Sequence, residues 1–502
     1  MPADAAPSAT PRPEGLTGPH AAEAEALARE AVAGQAPPVG RDAGPMPPAA
    51  HARAVLALGL PLAGSQMAQF GLHMIDSVML GRYGVPELAA STVAGSVFFS
   101  TFILLSGFAI AITPLVAASV AQGDLVAARR ATRMGMWASI AAGLLFGPVL
   151  LFGEAILLAI GQTPEVAALG GRYLLVAGAP NLVFALLWMA LRSHLTGMER
   201  TGAILAVTLA LLPLNALLNW VLIWGRFGLP ELGIMGAAVA TLVVNASAVT
   251  ALLIYAARRW PGEEPLLARF WRPDGEVLRR VVTLGAPIGA TIFAESGLFA
   301  ASAIMMGWIG TVPLAAHGAA IQLAGLTFMV HLGLSQAATV RAGAAYGRGD
   351  PEGLRRGALV AFAVSLGFVV LAASAFLLFP EPLIGMFVDR DSGARGAILA
   401  LGAMLLALAA AFQLVDAAQV MLLGVLRGMQ DTRVPAILAG IGYWGIGIPS
   451  AYLLAFTLDW GPAGLWTGLV IGLATVAGLL AWRLFGVSLP RMAASAAPRR
   501  TA

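Results

Sequence analysis

The segment LGAPIGATIFAESGLFAASAIMMG (Leu284–Gly307) is apolar apart from small hydroxyl side chains and one carboxylate, Glu295. It aligns without gaps to LGLPLAGSQMAQFGLHMIDSVMLG (Leu58–Gly81) at an offset of 226 residues, with 8 identities in 24 positions. A membrane span needs about 20 mainly apolar residues. The pair therefore predicts a membrane protein built by duplication, with a charged residue placed inside one of its spans.

The composition supports a membrane protein with many spans. The chain has 502 residues, of which 59% are hydrophobic and 11% are charged, whereas soluble domains have about 25% charged residues. It has no cysteine, which excludes disulfides and thiolate metal sites. All 30 basic residues are arginine, and no loop combines clustered arginine with aromatic residues, so we expect no nucleic-acid partner.

Long apolar runs alternate with short polar breaks from Arg53 onward. We expect an all-α integral membrane protein with twelve transmembrane helices, arranged as two six-helix lobes related by pseudo-two-fold symmetry. The predicted spans lie near 54–82, 88–121, 130–160, 166–192, 203–225, 233–257, 280–310, 314–346, 355–388, 396–427, 434–457 and 462–485.

The arginine distribution predicts the orientation of these spans. With the N-terminus inside, 25 arginines fall in cytoplasmic loops and tails and 5 fall on the opposite side, as the positive-inside rule requires. We therefore expect both termini to be cytoplasmic. Residues 1–52, rich in Pro, Ala and Gly, are predicted to be a disordered cytoplasmic tail, and residues 487–502 a C-terminal tail.

The internal repeat extends beyond the first helices. The same offset pairs Gly123-Asp124 with Gly349-Asp350, and TGMERT (196–201) matches RGMQDT (427–432) at an offset of 231. We therefore predict an N-lobe at 53–258, a cytoplasmic inter-lobe loop at 259–279 and a C-lobe at 280–486. Because six spans is an even number, the lobes share one orientation in the membrane, which is typical of transporters that work by alternating access.

The acidic residues within the spans break the repeat symmetry. Glu295 aligns with Gln69, Asp76 aligns with Ser302, and Asp416 aligns with Ala185. An ionisable residue inside a membrane span is a functional candidate because burial of its charge is costly. Such a carboxylate can hold a proton, bind a sodium ion among other oxygens, or attract a cationic substrate. The alternative is a protonated carboxyl group with a purely structural role.

Two further features lie in the N-lobe with Asp76. Asn215 and Asn219, in LPLNALLNW, are four residues apart and share a helix face, so their amide oxygens and the Asp76 carboxylate could form a site for Na⁺. Pro61 lies on the same predicted helix as Asp76 and is a candidate hinge. A static kink is the alternative interpretation of Pro61.

Four segments resemble the multidrug and toxic compound extrusion (MATE) transporters, and the similarity covers about residues 54–486. They are HMIDSVMLGRYG (73–84), LNALLNWVLIWGRFGLPELGIMGAAVAT (214–241), TVRAGAAYGRGD (339–350) and DAAQVMLLGVLRGMQDT (416–432). The resemblance implies a multidrug efflux antiporter of the bacterial inner membrane, which exports amphipathic, mostly cationic compounds in exchange for Na⁺ or H⁺. It implies no other cofactor and no enzymatic activity, and nothing in the sequence requires more than a monomer.

The resemblance also suggests roles for individual residues. Asp76, Asn215 and Asn219 resemble the N-lobe cation site of the family, and Glu295 and Asp416 resemble the C-lobe acids of its NorM-type branch, so Na⁺ could bind at either group. Two other functions stay open. One is a lipid-linked oligosaccharide flippase of the same superfamily, which usually has a basic cavity; the other is an integral membrane enzyme, for which no metal-binding or nucleophile motif is present.

Overall fold

Among the described residues, twelve helices of the computed structural model are long and apolar enough to cross a membrane, which confirms the predicted number. The structure describes residues 46–496. We number the twelve helices α1–α12 in chain order. They are α1 (Pro48–Tyr83), α2 (Val85–Ala121), α3 (Leu125–Leu150), α4 (Pro164–Gly197), α5 (Thr201–Ile223), α6 (Ile234–Arg258), α7 (Gly275–Ile309), α8 (Thr311–Arg348), α9 (Pro351–Leu378), α10 (Arg395–Gly428), α11 (Arg433–Thr457) and α12 (Gly461–Ala496).

The helix boundaries differ from the predicted spans mainly at the ends of the chain. Helix α1 begins at Pro48, inside the segment predicted to be a tail, and residues 1–45 lie outside the described part. Helix α12 continues to Ala496, so the described part of the predicted C-terminal tail is helical. The predicted third and ninth spans each end in a separate short helix, Gly153–Ala159 and Pro380–Gly385 respectively.

The Gly-Asp pairs of the sequence repeat are two copies of one helix junction. Gly123 and Gly349 have φ angles of 77° and 67°, in the left-handed region that glycine adopts without a steric penalty. The carboxylate of Asp124 then accepts the backbone N–H of Ala127 at 2.8 Å, and that of Asp350 accepts the N–H of Gly353 at 2.7 Å. Both acids are N-caps, so duplication preserved a turn that ends one helix and starts the next.

Glycine allows close backbone contact between the two predicted lobes. A Cβ atom on Gly107 of α2 would lie 2.2 Å from the carbonyl oxygen of Gly285 and 2.3 Å from the nitrogen of Gly289, both on α7. A Cβ atom on Gly333 of α8 would lie 2.5 Å from the nitrogen of Ala63 on α1. Small residues let membrane helices approach this closely. Helix α2 therefore packs directly on α7, and α1 packs directly on α8.

The segment between α6 and α7 is bound to α3. Arg129 forms an ion pair with Glu264 at 2.5 Å, Arg130 forms one with Asp274 at 2.6 Å, and the Trp137 indole donates to the carbonyl of Phe270 at 2.8 Å. Asp274 also accepts the N–H of Val277 and caps α7. The connection between the predicted lobes is therefore fixed to the first lobe up to the residue at which α7 begins.

The Arg130–Asp274 pair should make stability depend on pH. The Arg130 guanidinium, helped by the Val277 N–H, lowers the pKa of the Asp274 carboxyl group. The stabilisation is therefore complete above the unfolded-state pKa of about 3.9 and is lost as the pH falls through the lower folded-state pKa. We expect Asp274→Ala to reduce the free energy of unfolding by about 1–2 kcal/mol at neutral pH, and the deficit to shrink at pH 3.

Thermal unfolding in detergent at pH 7 and pH 3 would measure this effect. Asp124→Ala is the matched control, because Asp124 caps α3 and forms no ion pair within 4.0 Å among residues 46–496. A deficit for Asp274→Ala that equals the control at both pH values would contradict a contribution from Arg130.

Gly107 gives a second test of the packing. We expect Gly107→Val to weaken the contact between α2 and α7 by about 1–3 kcal/mol, because the added atoms would overlap backbone that cannot move independently. Gly95→Val on the same helix is the control, since a Cβ atom there meets nothing within 4 Å. A lower melting temperature only for Gly107→Val is the expected result, and equal melting temperatures would refute it.

Candidate functional site

The three N-lobe candidates form one hydrogen-bonded cluster, which we call the N-cluster (Asp76, Asn215 and Asn219). The Oδ1 atom of Asp76 on α1 accepts from Asn219 Nδ2 at 2.6 Å and from Asn215 Nδ2 at 3.0 Å. Asn219 Nδ2 also lies 3.2 Å from Asn215 Oδ1. Helices α1 and α5 pack together, and the four-residue spacing turns both amides toward Asp76.

The N-cluster is arranged to stabilise an ionised carboxylate. Both amide N–H groups face the same oxygen of Asp76, and Asn215 and Asn219 are only 2% and 0% exposed. Asn219 Oδ1 is buried and has no hydrogen-bond partner. Carboxylate and amide oxygens are ligands that suit a small hard cation, so the residues fit Na⁺ once an amide rotates its oxygen toward the carboxylate.

The two C-lobe acids meet through a third residue. Gln419 Nε2 donates to Glu295 Oε1 at 2.5 Å and lies 3.5 Å from Asp416 Oδ1. The Tyr443 hydroxyl donates to Gln419 Oε1 at 2.5 Å. We call this group the C-cluster (Glu295, Asp416, Gln419 and Tyr443). It joins three helices, α7, α10 and α11.

Gln419 and Tyr443 were not predicted from the sequence. Gln419 follows Asp416 by three residues and so lies on the same face of α10, a spacing that could have indicated it. Tyr443 offers no such signal, because its helix is a different one and its approach to Gln419 depends on packing. Both side chains are completely buried.

The clusters remain separate in this structure. No hydrogen bond joins the N-cluster to the C-cluster within residues 46–496. The same part of the chain contains no group of three or more His, Cys, Asp or Glu side chains arranged for a metal ion. Helix α1 continues through Pro61, and a hinge at this residue stays a prediction.

Arg192 lies in a different place from the one the sequence suggested. Arg192 is one of the 25 arginines assigned to cytoplasmic loops and tails, but it lies within α4 and is 2% exposed. Its guanidinium is 3.4 Å from acceptor oxygens of Ser65 and Gln69 on α1 and of Gln336 on α8. Its Nε atom has no partner. One incompletely bonded cation is therefore buried between the two predicted lobes.

Comparison with known proteins identifies the family. The MatE family model matches residues 61–221 and 287–453, which include every residue of both clusters. The chain belongs to the MATE family. Family members are transporters, so the interpretation as an enzyme is excluded.

Curated relatives of this MATE protein are bacterial. A probable multidrug resistance protein NorM from Rhizobium meliloti is 48% identical over 87% of the chain and 93% of the relative. A second protein of that name, from Agrobacterium fabrum, is 46% identical over 86% and 93%. Together with the twelve apolar helices, these relatives place the protein in a bacterial inner membrane as a multi-pass transporter.

Solved structures show the same fold at low sequence identity. A MATE in the bent conformation has a TM-score of 0.82 at 19% identity and covers 92% of this chain and 100% of its own. An outward-facing multidrug resistance MATE transporter has a TM-score of 0.78 at 20% identity, with coverage of 88% and 96%. A MOP superfamily transporter from Pyrococcus furiosus, described as having a binding pocket of reverse polarity and a different function, reaches 0.77 at 19%, covering 89% and 97%.

Asn219 allows a direct test of the N-cluster. We expect Asn219→Leu to reduce transport by roughly tenfold or more, because a hydrogen bond to a charged group contributes about 1.5–3 kcal/mol and the 2.6 Å donor to Asp76 is lost. Asn245→Leu is the control, because Asn245 donates at 2.9 Å to Asn181 and not to an acid. Melting temperature and dye export would be measured for both variants. Equal loss of transport in the two would show that Asn219 matters only for stability.

Proposed function

We propose that this MATE transporter exports amphipathic organic cations in exchange for Na⁺ or H⁺ by alternating access. The observation that carries the proposal is the presence of one acidic cluster in each predicted lobe. None of Asp76, Glu295 and Asp416 forms an ion pair within 4.0 Å among the described residues. At hydrogen-bond distance their carboxylates are met by the amide N–H groups of asparagine and glutamine, and Arg427 acts on Glu295 only from beyond 4.0 Å.

Because the donors to the carboxylates are amides, one cation can replace another at each cluster. A neutral amide stabilises an ionised carboxylate less than a paired arginine does, and an arginine could not be displaced by a small cation without leaving a buried charge behind. A proton, a sodium ion or a cationic substrate can therefore compete for the same carboxylate. One charge that crosses about 100 mV releases roughly 2.3 kcal/mol, so inward ion flow can drive export of a cation.

The packing between the helices supports alternating access. Gly333 contacts Ala63 in the half of α1 that precedes the N-cluster, and Gly107 contacts Gly285 and Gly289 in the half of α7 that precedes Glu295. The close contacts lie toward the end at which both helices begin. By the arginine distribution this end is cytoplasmic, so the acids lie beyond a closed cytoplasmic contact, as an outward-facing state requires.

A second candidate function is transport of an anionic substrate such as a lipid-linked pyrophosphate. Arg192 favours it, because its Nε atom is buried without a partner and its other contacts are neutral oxygens at 3.4 Å. The N-cluster and the C-cluster, which together contain three acids and no basic residue, favour the cationic substrate. The first candidate function predicts that only positively charged molecules are transported, and the second predicts that only negatively charged molecules are.

Transport by reconstituted protein tests the proposal. We would load proteoliposomes with ethidium and impose a sodium gradient or a pH gradient separately, with wild type, Asp76→Asn, Glu295→Gln and Asp416→Asn. We expect export under at least one gradient and a loss of at least tenfold in each variant, because each substitution removes a charge that the transported cation needs. The gradient that works identifies the coupling ion.

Glu154→Gln is the control for these variants, since Glu154 is an exposed acid in the short helix after α3. Export by Asp76→Asn at the wild-type rate would reject the role of the N-cluster. If wild type exports nothing under either gradient, cation antiport is wrong, and fluorescent lipid-linked pyrophosphates would be tested with wild type and Arg192→Gln.

A further inference from the structure

Gln419 occupies the position between two carboxylates where a cation would be expected. Its amide nitrogen is 2.5 Å from Glu295 Oε1 and 3.5 Å from Asp416 Oδ1. Neither acid has another side-chain donor within the described residues. Asp416 is 3% exposed and Gln419 is not exposed at all. The partial positive charge of the amide N–H₂ group therefore stabilises the two carboxylates in part, as a bound cation would.

The other end of the Gln419 amide is bonded to α11. The Tyr443 hydroxyl donates to Gln419 Oε1 at 2.5 Å. Tyr443 belongs to Ile441–Gly447, a π-helical stretch with three glycines, and π-helical turns in membrane helices often mark sites of local rearrangement. The next residue, Trp444, donates to the carbonyl of Ala294 at 3.0 Å, directly before Glu295. This stretch of α11 is thus attached on both sides to the C-cluster.

The hydrogen-bond chemistry of an amide permits two arrangements of this chain, and they exclude each other. When the acids are ionised and empty, the N–H₂ group faces them and the oxygen accepts from Tyr443. When a sodium ion occupies the acids, the amide oxygen must face the ion instead, and when Glu295 carries a proton on Oε1, the amide oxygen must turn to accept that O–H. The N–H₂ group then faces the Tyr443 oxygen, and the Tyr443 hydroxyl can no longer donate to Gln419.

We infer that the Gln419 amide takes the place of the coupling ion when the site is empty and rotates when the ion binds. Tyr443 transmits this rotation of the amide to α11. The inference rests on the proposed ion coupling and assigns two positioning residues to it. Arg427, on α10, is the charged side chain that acts electrostatically on both Glu295 and Tyr443, and it holds a constant charge while the acids change theirs. Ion binding between Glu295 and Asp416 is thereby converted into a change in the hydrogen bonds of a glycine-rich part of α11.

The N-cluster lacks the same connection. Its amides also point N–H groups at a carboxylate, but Asn215 Oδ1 is bonded within the cluster and Asn219 Oδ1 has no partner. Rotation of these amides would change their hydrogen bonds to Asp76 on α1 but none to a third helix. The reversal at Gln419 is therefore a specific property of the C-cluster.

Ion binding to purified protein in detergent tests the inference without any gradient. Because the chain has no cysteine, Leu453→Cys, at a position on α11 that is 51% exposed, can carry a single environment-sensitive fluorophore. Binding of Na⁺ at fixed pH and of protons without Na⁺ would be measured by calorimetry, and the fluorophore would report on α11. In the labelled parent we expect the coupling ion to bind and to change the fluorescence.

Tyr443→Phe and Gln419→Met should separate ion binding from the fluorescence change on α11. Because the Tyr443 hydroxyl bonds to the amide in both arrangements, we expect Tyr443→Phe to change ion affinity by less than about threefold and to lose most of the fluorescence change. Gln419→Met retains the two acids and should also lose the fluorescence change. Tyr452→Phe is the control on the same helix, since the Tyr452 side chain is 51% exposed.

The outcomes separate the inference from the proposed function. A parent that binds neither ion would overturn the proposed coupling, and the inference with it. A parent that binds an ion, with Tyr443→Phe and Gln419→Met both giving the affinity and the fluorescence change of the control, would leave the coupling intact and overturn only the role of Gln419 and Tyr443. Melting temperatures near that of the parent would show that both variants are folded.

Discussion

The carboxylates of Asp76, Glu295 and Asp416 must be stabilised inside a bundle of apolar helices, and the side chains that donate hydrogen bonds to them are amides. An amide donor lowers the cost of burying a carboxylate but leaves its charge uncompensated. In the proposed function, each carboxylate thereby remains available to a cation.

Both clusters stabilise buried carboxylates, but the N-cluster joins two helices and the C-cluster joins three. The N-cluster uses two asparagines on one helix, which fix Asp76 of α1 against α5. The C-cluster uses one glutamine, which contacts α7 and α11 from α10. The duplicated helices carry both clusters, and the acids lie at positions whose repeat partners are uncharged. The lobes of this transporter are thus similar as scaffolds and different in their chemistry.

Arg192 adds a charge of opposite sign between the predicted lobes. Its contacts join α4 and α1 to α8 through neutral oxygens at 3.4 Å, which is long for a hydrogen bond. A guanidinium that is buried with such contacts recovers little of its hydration energy. A basic side chain is therefore buried where α1 and α8 meet, with no acidic partner within 4.0 Å among the described residues.

The sequence by itself determined the twelve spans, the duplication and the three acids, because apolar length, repeat offset and a charge within a span are all local properties of the chain. It also predicted that Asn215 and Asn219 share a face with one another, because four residues make about one helical turn. Tertiary structure alone decided that this face meets Asp76, that Gln419 lies between Glu295 and Asp416, and that Tyr443 completes the C-cluster. It also decided that Arg192 is buried, since a position near the end of a span predicts depth only to within a helical turn. These contacts depend on how α1, α5, α7, α8, α10 and α11 are rotated against each other, and rotation is set by the packing of glycines and small side chains from distant parts of the chain.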